Sequence, residues 1–310
     1  MIMETTKKKI LLYQERDFSA KFDDTFAFIK QNYKVLLKYV TYLLLPVSLV
    51  QAIAFDGYMD GTMNLSEAGG QGWEAVQGMV LSMSGLYLTM VIGSVLLYAL
   101  VYAVMAIYED SDNGIGALTG EELKPTLLRN VRRGLLMVLF MGLLMLVAVA
   151  VGAVLAALVS LWLLLPAIVG LFIVMVPLIL FMPIYLFEPE ISLVGALRKS
   201  MRLGFANWWS TLAITLVLSI IMAFVQGVFA TPYYIAIIVK AVLGVQNGFE
   251  GLADSAAYSF MTYLLGVLQS FATYVLTTIV AVGIALQYGH AAEKEDHVTM
   301  ESSIEHFDQL

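Results

Sequence analysis

Long apolar runs separated by short polar stretches dominate the pattern of this chain. A helix needs about 20 apolar residues to cross roughly 30 Å of hydrocarbon, and six runs reach that length. The runs are too continuously apolar for the alternating strands of a β-barrel, so the pattern predicts helices. The predicted spans are 35–55, 78–108, 134–159, 161–187, 208–231 and 257–288.

These spans predict an all-α integral membrane protein, built as a six-helix transmembrane bundle. Residues 1–34 are predicted to form a cytoplasmic N-terminal tail with an amphipathic helix, 35–288 the six-span domain, and 289–310 an acidic cytoplasmic C-terminal tail. Residues 135–187 contain no charged side chain, and this stretch is too long for one membrane-spanning helix. We therefore place a tight turn near Ser160. Pro232 is predicted to end the fifth span.

A short amphipathic segment precedes the first, third and fifth spans. In residues 18–33, apolar side chains recur every three or four positions, which is typical of a helix that lies in the membrane interface. In the second segment, Pro125 suits a first helical turn. In the third, Ser192 is a suitable N-cap.

The recurrence of these segments predicts three tandem helix-hairpin units. Each unit would consist of an interfacial helix, an outward span and an inward span, beginning near Asp17, Glu122 and Glu190. Asn32 and Asn207 lie at equivalent points of the first and third units. Ordinary interface chemistry is the alternative explanation of that similarity.

Composition and charge agree with a membrane location. The chain is 60% hydrophobic and 13% charged, whereas soluble domains contain about 25% charged residues. Lys and Arg lie in the two tails and in the second and fourth connections, whereas the other connections are acidic apart from Lys240. Short cytoplasmic loops carry an excess of basic residues, so we predict a multi-pass protein of the inner membrane with both termini in the cytoplasm.

The segment 191–212, ISLVGALRKSMRLGFANWWSTL, resembles a recurring segment of a family of bacterial membrane proteins. These are related to the membrane domain of glycerophosphoryl diester phosphodiesterases, and their segment runs Ala-Leu, a basic pair, Ser, an apolar residue, Arg-Leu and an aromatic helix start. Residues 26–34 also resemble the entry of such proteins. The resemblance implies a multi-helix membrane domain. It carries over no catalytic residue, because we expect no soluble diesterase domain after the last span.

Ionisable groups gathered inside the spans would indicate chemistry, since burial there costs at least about 3 kcal/mol. The predicted span cores contain essentially none, and cysteine is absent. His290, His297 and His306 all lie in the C-terminal tail, and their spacing matches no familiar zinc motif. We therefore expect no catalytic residue, no metal and no cofactor, and no nucleic-acid partner.

Two sets of residues are candidate sites. The basic residues of the connections can hold anionic lipid headgroups of the bilayer or position another membrane or cytoplasmic protein, with topological anchoring as the alternative. Proline kinks and span glutamines can line a cavity, with simple kinking or hydrogen bonding between helices as the alternative. The first set is Arg129, Arg132, Arg133, Arg198, Lys199 and Arg202, and the second is Pro177, Gln226 and Gln269.

The preferred interpretation is a non-catalytic integral membrane protein. It would organise the envelope or act as an accessory subunit through its basic interfacial helices. The alternative is a transporter or permease for a small apolar or lipid-like substrate. A continuous polar cavity at the second set of residues would favour transport, and a closely packed interior with a basic cytoplasmic face would favour the first interpretation.

Overall fold

The described part of the chain is helical and contains no strand. The computed structural model describes residues 9–67, 73–111, 114–158, 162, 164–245 and 255–299. The helices are α1 (Phe18–Glu67), α2 (Trp73–Asp110), α3 (Gly120–Leu158), α4 (Leu164–Leu178), α5 (Phe181–Phe187), α6 (Leu193–Ala206), α7 (Trp208–Val245) and α8 (Ala256–Asp296).

Six helical stretches in the described residues are long and apolar enough to cross a membrane, as the sequence predicts. The fourth includes both α4 and α5, and the others lie on α1, α2, α3, α7 and α8. Their bounds are Phe18–Thr62, Val76–Asp110, Gly120–Val154, Ile168–Phe187, Trp208–Lys240 and Ala256–Asp296.

The first two amphipathic segments are not separate helices. Each is the beginning of the helix that continues as a span, in α1 and in α3. α1 is capped by Asp17, whose carboxylate accepts the backbone N–H of Ala20 at 2.7 Å. α3 begins after Thr119, which exchanges hydrogen bonds with Glu122 in a capping box. Because this cap lies before Pro125, the proline falls inside α3 and not in its first turn.

The third amphipathic segment is a separate helix, α6. The Ser192 hydroxyl accepts the backbone N–H of Gly195 at 3.1 Å, which confirms the predicted N-cap. The helix ends before Asn207, whose backbone leaves the helical region with φ −118° and ψ 30°. α7 starts at the next residue.

Two expectations about the span ends have different outcomes. Pro232 lies inside α7, so the prediction that it ends the fifth span is wrong. A proline removes one backbone donor and disturbs the preceding turn, and membrane helices tolerate this local change. The predicted turn near Ser160 lies outside the described residues.

The helices contribute to two compact units. The described residues within 1–36, 98–218 and 279–310 form unit 1, and those within 37–97 and 219–278 form unit 2. Unit 1 therefore contains α3 to α6 with the ends of α1, α2, α7 and α8. Its core includes the fully buried aromatic side chains of Phe28, Tyr102 and Tyr288.

Unit 2 contains α1 from residue 37 to its end, most of α2, and parts of α7 and α8. Glycines allow α1 and α2 to approach closely there, because a Cβ on Gly61 would lie 3.1 Å from the Cα of Met79. Lys240, which the sequence places in an acidic connection, forms an ion pair with Asp60 at 3.1 Å. α1 therefore continues into the predicted first loop and provides the partner of Lys240.

The chain just before α1 packs into unit 1 instead of forming a free tail. Ile10 and Leu12 are buried, and the Arg16 side chain is also enclosed. Gly289 of α8 makes this possible, because a Cβ there would lie 2.0 Å from the Leu12 carbonyl oxygen. The hydrophobic residues of this short segment explain why it is buried, although the surrounding residues are polar.

Candidate functional site

Arg133 on α3 caps the end of α5. Its guanidinium donates to the backbone carbonyls of Tyr185 at 2.9 Å, Glu188 at 3.0 Å and Ile191 at 3.0 Å, and also to that of Pro189. It also lies 3.9 Å from the centre of the Tyr185 ring. Most of the N–H donors of Arg133 are engaged within the protein. Arg133 therefore acts as a clamp, which here means that its hydrogen bonds hold α3 to the residues before α6.

Lys199 and Arg202 on α6 are joined to acidic residues of unit 1. The Lys199 ammonium lies 2.8 Å from Glu188 and 3.3 Å from Asp296. Arg202 lies 2.7 Å from the other oxygen of Asp296. These two cations therefore tie α6 to the end of α8 and to the connection after α5.

Arg129, Arg132 and Arg198 differ from the other three predicted basic residues. All three are exposed, and none forms a hydrogen bond or ion pair with a residue that the structure describes. Because Arg133 binds the residues just before α6, the basic parts of α3 and α6 belong to the same region of unit 1. We call these three residues the free-arginine surface.

A polar cavity of about 390 Å³ lies beside the paired cations. The Tyr288 hydroxyl donates to Glu188 at 2.6 Å and lies 3.3 Å from the Tyr13 hydroxyl. Burial raises the pKa of Tyr13, so this hydroxyl keeps its proton and can donate to Tyr288. The cavity wall is thus a chain of hydrogen bonds that ends on the Glu188 carboxylate, which Lys199 neutralises.

A second cavity, of about 520 Å³, lies at the junction of α6 and α7. We call it the aromatic cavity, because the rings of Trp208 and Trp209 pack edge to face in its wall. Their ring centres are 4.7 Å apart. The Trp208 indole N–H donates to the carbonyl of Ile173 on α4 at 3.0 Å, which holds α4 against the start of α7. Its lining is Ile173, Phe205, Ala206, Asn207, Trp208, Trp209, Ser210 and Lys294.

The buried amide of Asn207 organises the edge of the aromatic cavity. Its NH2 group donates to the Leu203 carbonyl at 3.2 Å and to Glu295 at 3.3 Å. Its oxygen accepts from Lys294 at 3.4 Å. Asn207 therefore fixes the end of α8 beside the α6–α7 junction and places the Lys294 ammonium at the cavity.

The environment of Asn207 is partly repeated at Asn32. Both asparagines are buried, follow their helix N-caps by fifteen residues, and donate to the carbonyl four residues earlier. A buried hydroxyl stands eight residues after each cap, at Thr25 and Ser200. These correspondences support equivalent first and third units, and the proposal of three tandem units stays a prediction.

The residues predicted to line a transport cavity are divided between the two units. Pro177 belongs to unit 1, where it is buried and its carbonyl accepts from Ser200 at 3.1 Å. Gln226 and Gln269 belong to unit 2, where Gln226 donates to the backbone carbonyl of Gln269 at 3.4 Å. Neither of the two cavities described above is lined by any of the three.

The predicted tail histidines have separate environments. His290 is buried in unit 1, and its Nδ1 accepts the backbone N–H of Arg16 at 3.0 Å. His297 follows the end of α8 in a left-handed conformation, with φ 49°, and His306 lies outside the described residues. Among the residues that the structure describes, no group of three or more acidic, histidine or cysteine side chains is placed to hold a metal ion.

The class of this protein follows from the six apolar candidate spans in the described residues, which expose large apolar side chains on their surface. Leu139, Leu143 and Leu146 of α3 are 71%, 61% and 70% exposed, which suits hydrocarbon and not water. The chain is a multi-pass membrane protein. No family model, curated protein or solved structure matches it, so the resemblance to phosphodiesterase membrane domains stays a prediction.

Sequence reasoning missed the residues around the aromatic cavity. The sequence pattern gives Trp208, Trp209 and Lys294 no shared role, because it counts Lys294 only among the basic residues of the tails. It contains no signal that places Lys294 beside residues 87 positions earlier. It likewise contains no signal that Lys21, a charged residue of the first amphipathic segment, is buried.

Proposed function

We propose that this protein is a non-catalytic membrane protein that gathers anionic lipid headgroups at the free-arginine surface. In this role it would organise the envelope or serve as an accessory subunit of a membrane assembly. The observation that carries the proposal is that Arg129, Arg132 and Arg198 are exposed and have no partner among the described residues, whereas the neighbouring cations are engaged within unit 1.

The surroundings of the free arginines suit a lipid surface. Leu128 and Leu135, next to them on α3, are 57% and 44% exposed. A helix that combines exposed apolar and basic residues favours the boundary between headgroups and acyl chains. Each Lys or Arg near an anionic leaflet contributes about 1 kcal/mol. The excess of basic residues in alternate connections supports a cytoplasmic location of this surface in a bacterial inner membrane.

Lipid titration of the purified full-length protein tests this function. Native mass spectrometry would count the molecules of phosphatidylglycerol or phosphatidylcholine retained by the wild type and by the triple variant Arg129→Gln, Arg132→Gln, Arg198→Gln. We expect the wild type to prefer phosphatidylglycerol, and the triple variant to lose affinity by about fivefold per arginine removed.

The matched control replaces the same three arginines by lysine and so keeps the charge. This variant is expected to retain most of the preference for phosphatidylglycerol, because the surface acts through charge. If the glutamine variant bound phosphatidylglycerol as well as the wild type, the free-arginine surface would have no role in lipid binding and the proposal would be wrong.

Transport of a small apolar or lipid-like substrate is the second candidate. It is favoured by one observation in unit 2, namely that the side-chain oxygens of Gln226 and Gln269 are buried and have no donor among the described residues. A hydroxyl or amine of a passing substrate would satisfy them. In proteoliposomes, Gln226→Leu should then slow substrate efflux, whereas the non-transport function predicts no flux in either protein.

A further inference from the structure

Lys21 on α1 is a buried cation that forms no direct ion pair with a residue that the structure describes. Lys21 is 2% exposed, and its ammonium group donates one hydrogen bond, to the Ser210 hydroxyl at 2.6 Å. Among the described residues, no carboxylate lies within 4.0 Å of it. An enclosed charge of this kind is strongly unfavourable unless an anion or a hydrogen-bond network compensates it.

The hydrogen bond of Lys21 leads to the aromatic cavity. Ser210 lines that cavity, and its hydroxyl accepts from Lys21 and donates to the neutral side-chain oxygen of Gln287 at 3.2 Å. Lys294 lines the same cavity from α8. Two ammonium groups therefore approach one opening, one directly and one through the Ser210 hydroxyl.

The acidic side chains nearby have other partners. Glu295 accepts from the Asn207 amide at 3.3 Å, and Asp24 pairs with Arg16 at 2.7 Å. Asp296 is held by Lys199 and Arg202. Among the residues that the structure describes, the ammonium groups of Lys21 and Lys294 therefore have no direct ion pair, so an external anion would be attracted to the cavity.

The remaining wall of the aromatic cavity is apolar and open to the side. Ile173, Phe205 and Trp209 are 44%, 49% and 77% exposed. Beyond Ile173, α4 continues with the exposed side chains of Ile168 and Phe172. A soluble anion would gain nothing from these residues, whereas the acyl chain of an amphiphile would bury its surface against them.

We propose that the aromatic cavity binds one anionic phospholipid. Its phosphate lies between Lys294 and Ser210, with Lys21 behind the serine hydroxyl, and an acyl chain follows Ile173 and Phe205 along α4. Trp208 and Trp209 flank the boundary between the two parts, as tryptophan does at membrane interfaces. This site is separate from the free-arginine surface and does not depend on the function proposed for it.

Fluorescence quenching by bromine-labelled lipids provides the test. The full-length protein with Trp73→Phe and Trp162→Phe keeps Trp208 and Trp209 as its tryptophans. In detergent, brominated phosphatidylglycerol is titrated and compared with brominated phosphatidylcholine. Unlabelled phosphatidylglycerol and inorganic phosphate serve as competitors, which separates a lipid from a free anion as the source of the phosphate.

We expect saturable quenching by phosphatidylglycerol at much lower concentration than by phosphatidylcholine, with displacement by the unlabelled lipid. Lys294→Gln and Lys21→Met should each weaken binding by about fivefold, the effect of one basic residue at an anionic headgroup. Lys21→Met should also raise the melting temperature of the lipid-free protein, because it removes an uncompensated buried charge. Lys21→Arg, which keeps the charge, should retain binding.

Two controls distinguish this site from the free-arginine surface. Lys124→Gln removes one exposed charge from α3, and the triple glutamine variant of the free arginines removes three; neither should change the quenching. Equal quenching by the two brominated lipids, or binding unchanged in both Lys294→Gln and Lys21→Met, would overturn the proposal. Complete competition by millimolar inorganic phosphate would identify a soluble anion instead and would overturn the lipid assignment.

Discussion

Residues of the same type have different roles in this protein, and the surroundings of each residue determine its role. Arg132 is exposed and has no partner among the residues that the structure describes, whereas Arg133, the next residue, donates to a set of backbone carbonyls at the end of α5 and just after it. A planar guanidinium can serve several acceptors at once, which a lysine ammonium cannot match in this geometry. The two arginines are therefore not equivalent, although a sequence pattern treats them as one basic pair.

The clamp formed by Arg133 predicts a difference between two conservative substitutions. Arg133→Lys keeps the charge but loses part of the hydrogen bonding, so we expect it to lower the free energy of unfolding by about 2 kcal/mol. Arg132→Lys should change it by less than about 0.5 kcal/mol, as for other surface substitutions. Thermal unfolding in the same detergent measures both. Equal stabilities would show that the carbonyls after α5 do not need Arg133.

Several hydroxyl groups inside the spans form their hydrogen bonds within their own helix. The hydroxyls of Thr273, Thr277 and Thr278 each donate to the carbonyl four residues earlier on α8. They therefore need no partner on another helix, and they are compatible with a surface that faces lipid. Gln226 differs, because its amide reaches α8 from α7.

At the scale of elements, the contact of α4 with α6 is set by a glycine. A Cβ on Gly204 would lie 2.4 Å from the Cα of Pro177, so the two helices touch backbone to backbone at this point. The Ser200 hydroxyl adds a hydrogen bond to the Pro177 carbonyl one turn away. Small residues permit this kind of close packing between membrane helices.

Replacing this glycine tests the close contact. Gly204→Ala should separate α4 from α6 and lower the free energy of unfolding by about 1–3 kcal/mol, the usual cost of overpacking. Gly142→Ala in α3 is the matched control, because a Cβ at Gly142 meets nothing within 4 Å. The control should be neutral or slightly stabilising, since alanine favours helix. If both variants melted at the same temperature, the backbone contact would be absent.

At the scale of the whole molecule, six spans determine how the connections are distributed. The six candidate spans in the described residues predict that the C-terminus returns to the side of the N-terminus and that the connections alternate between the two sides. The basic residues of alternate connections predict which side is cytoplasmic. This orientation depends on charge and not on packing.

The absence of cysteine allows a direct test of the orientation. Ala117→Cys lies in the exposed connection between α2 and α3, and Ala256→Cys lies at the exposed start of α8. In intact cells, a membrane-impermeant maleimide should label the cysteine at 256 and spare the one at 117. In inverted vesicles the result should be the opposite. Labelling of both positions from the same side would contradict the predicted topology.

The sequence by itself determined the parts of this protein that depend on local composition. A membrane span requires length and apolarity, and an N-cap requires a suitable side chain before an apolar run. Each property can be read within about 20 residues. The six spans and the cap at Ser192 were therefore predictable. The end of the fifth span was not, because a proline perturbs one turn and the rest of a membrane helix decides whether it continues.

Only the tertiary structure decided which polar groups meet. Arg133 and Arg132 differ because the chain after α5 passes beside one of them, and Lys21 approaches Ser210 across 189 positions of sequence. Lys21 belongs to the first amphipathic segment, whose pattern gives no signal that folding buries this charged side chain. Contacts over such separations depend on how the helices pack, and periodicity within one helix carries no information about the partner that will cover each face.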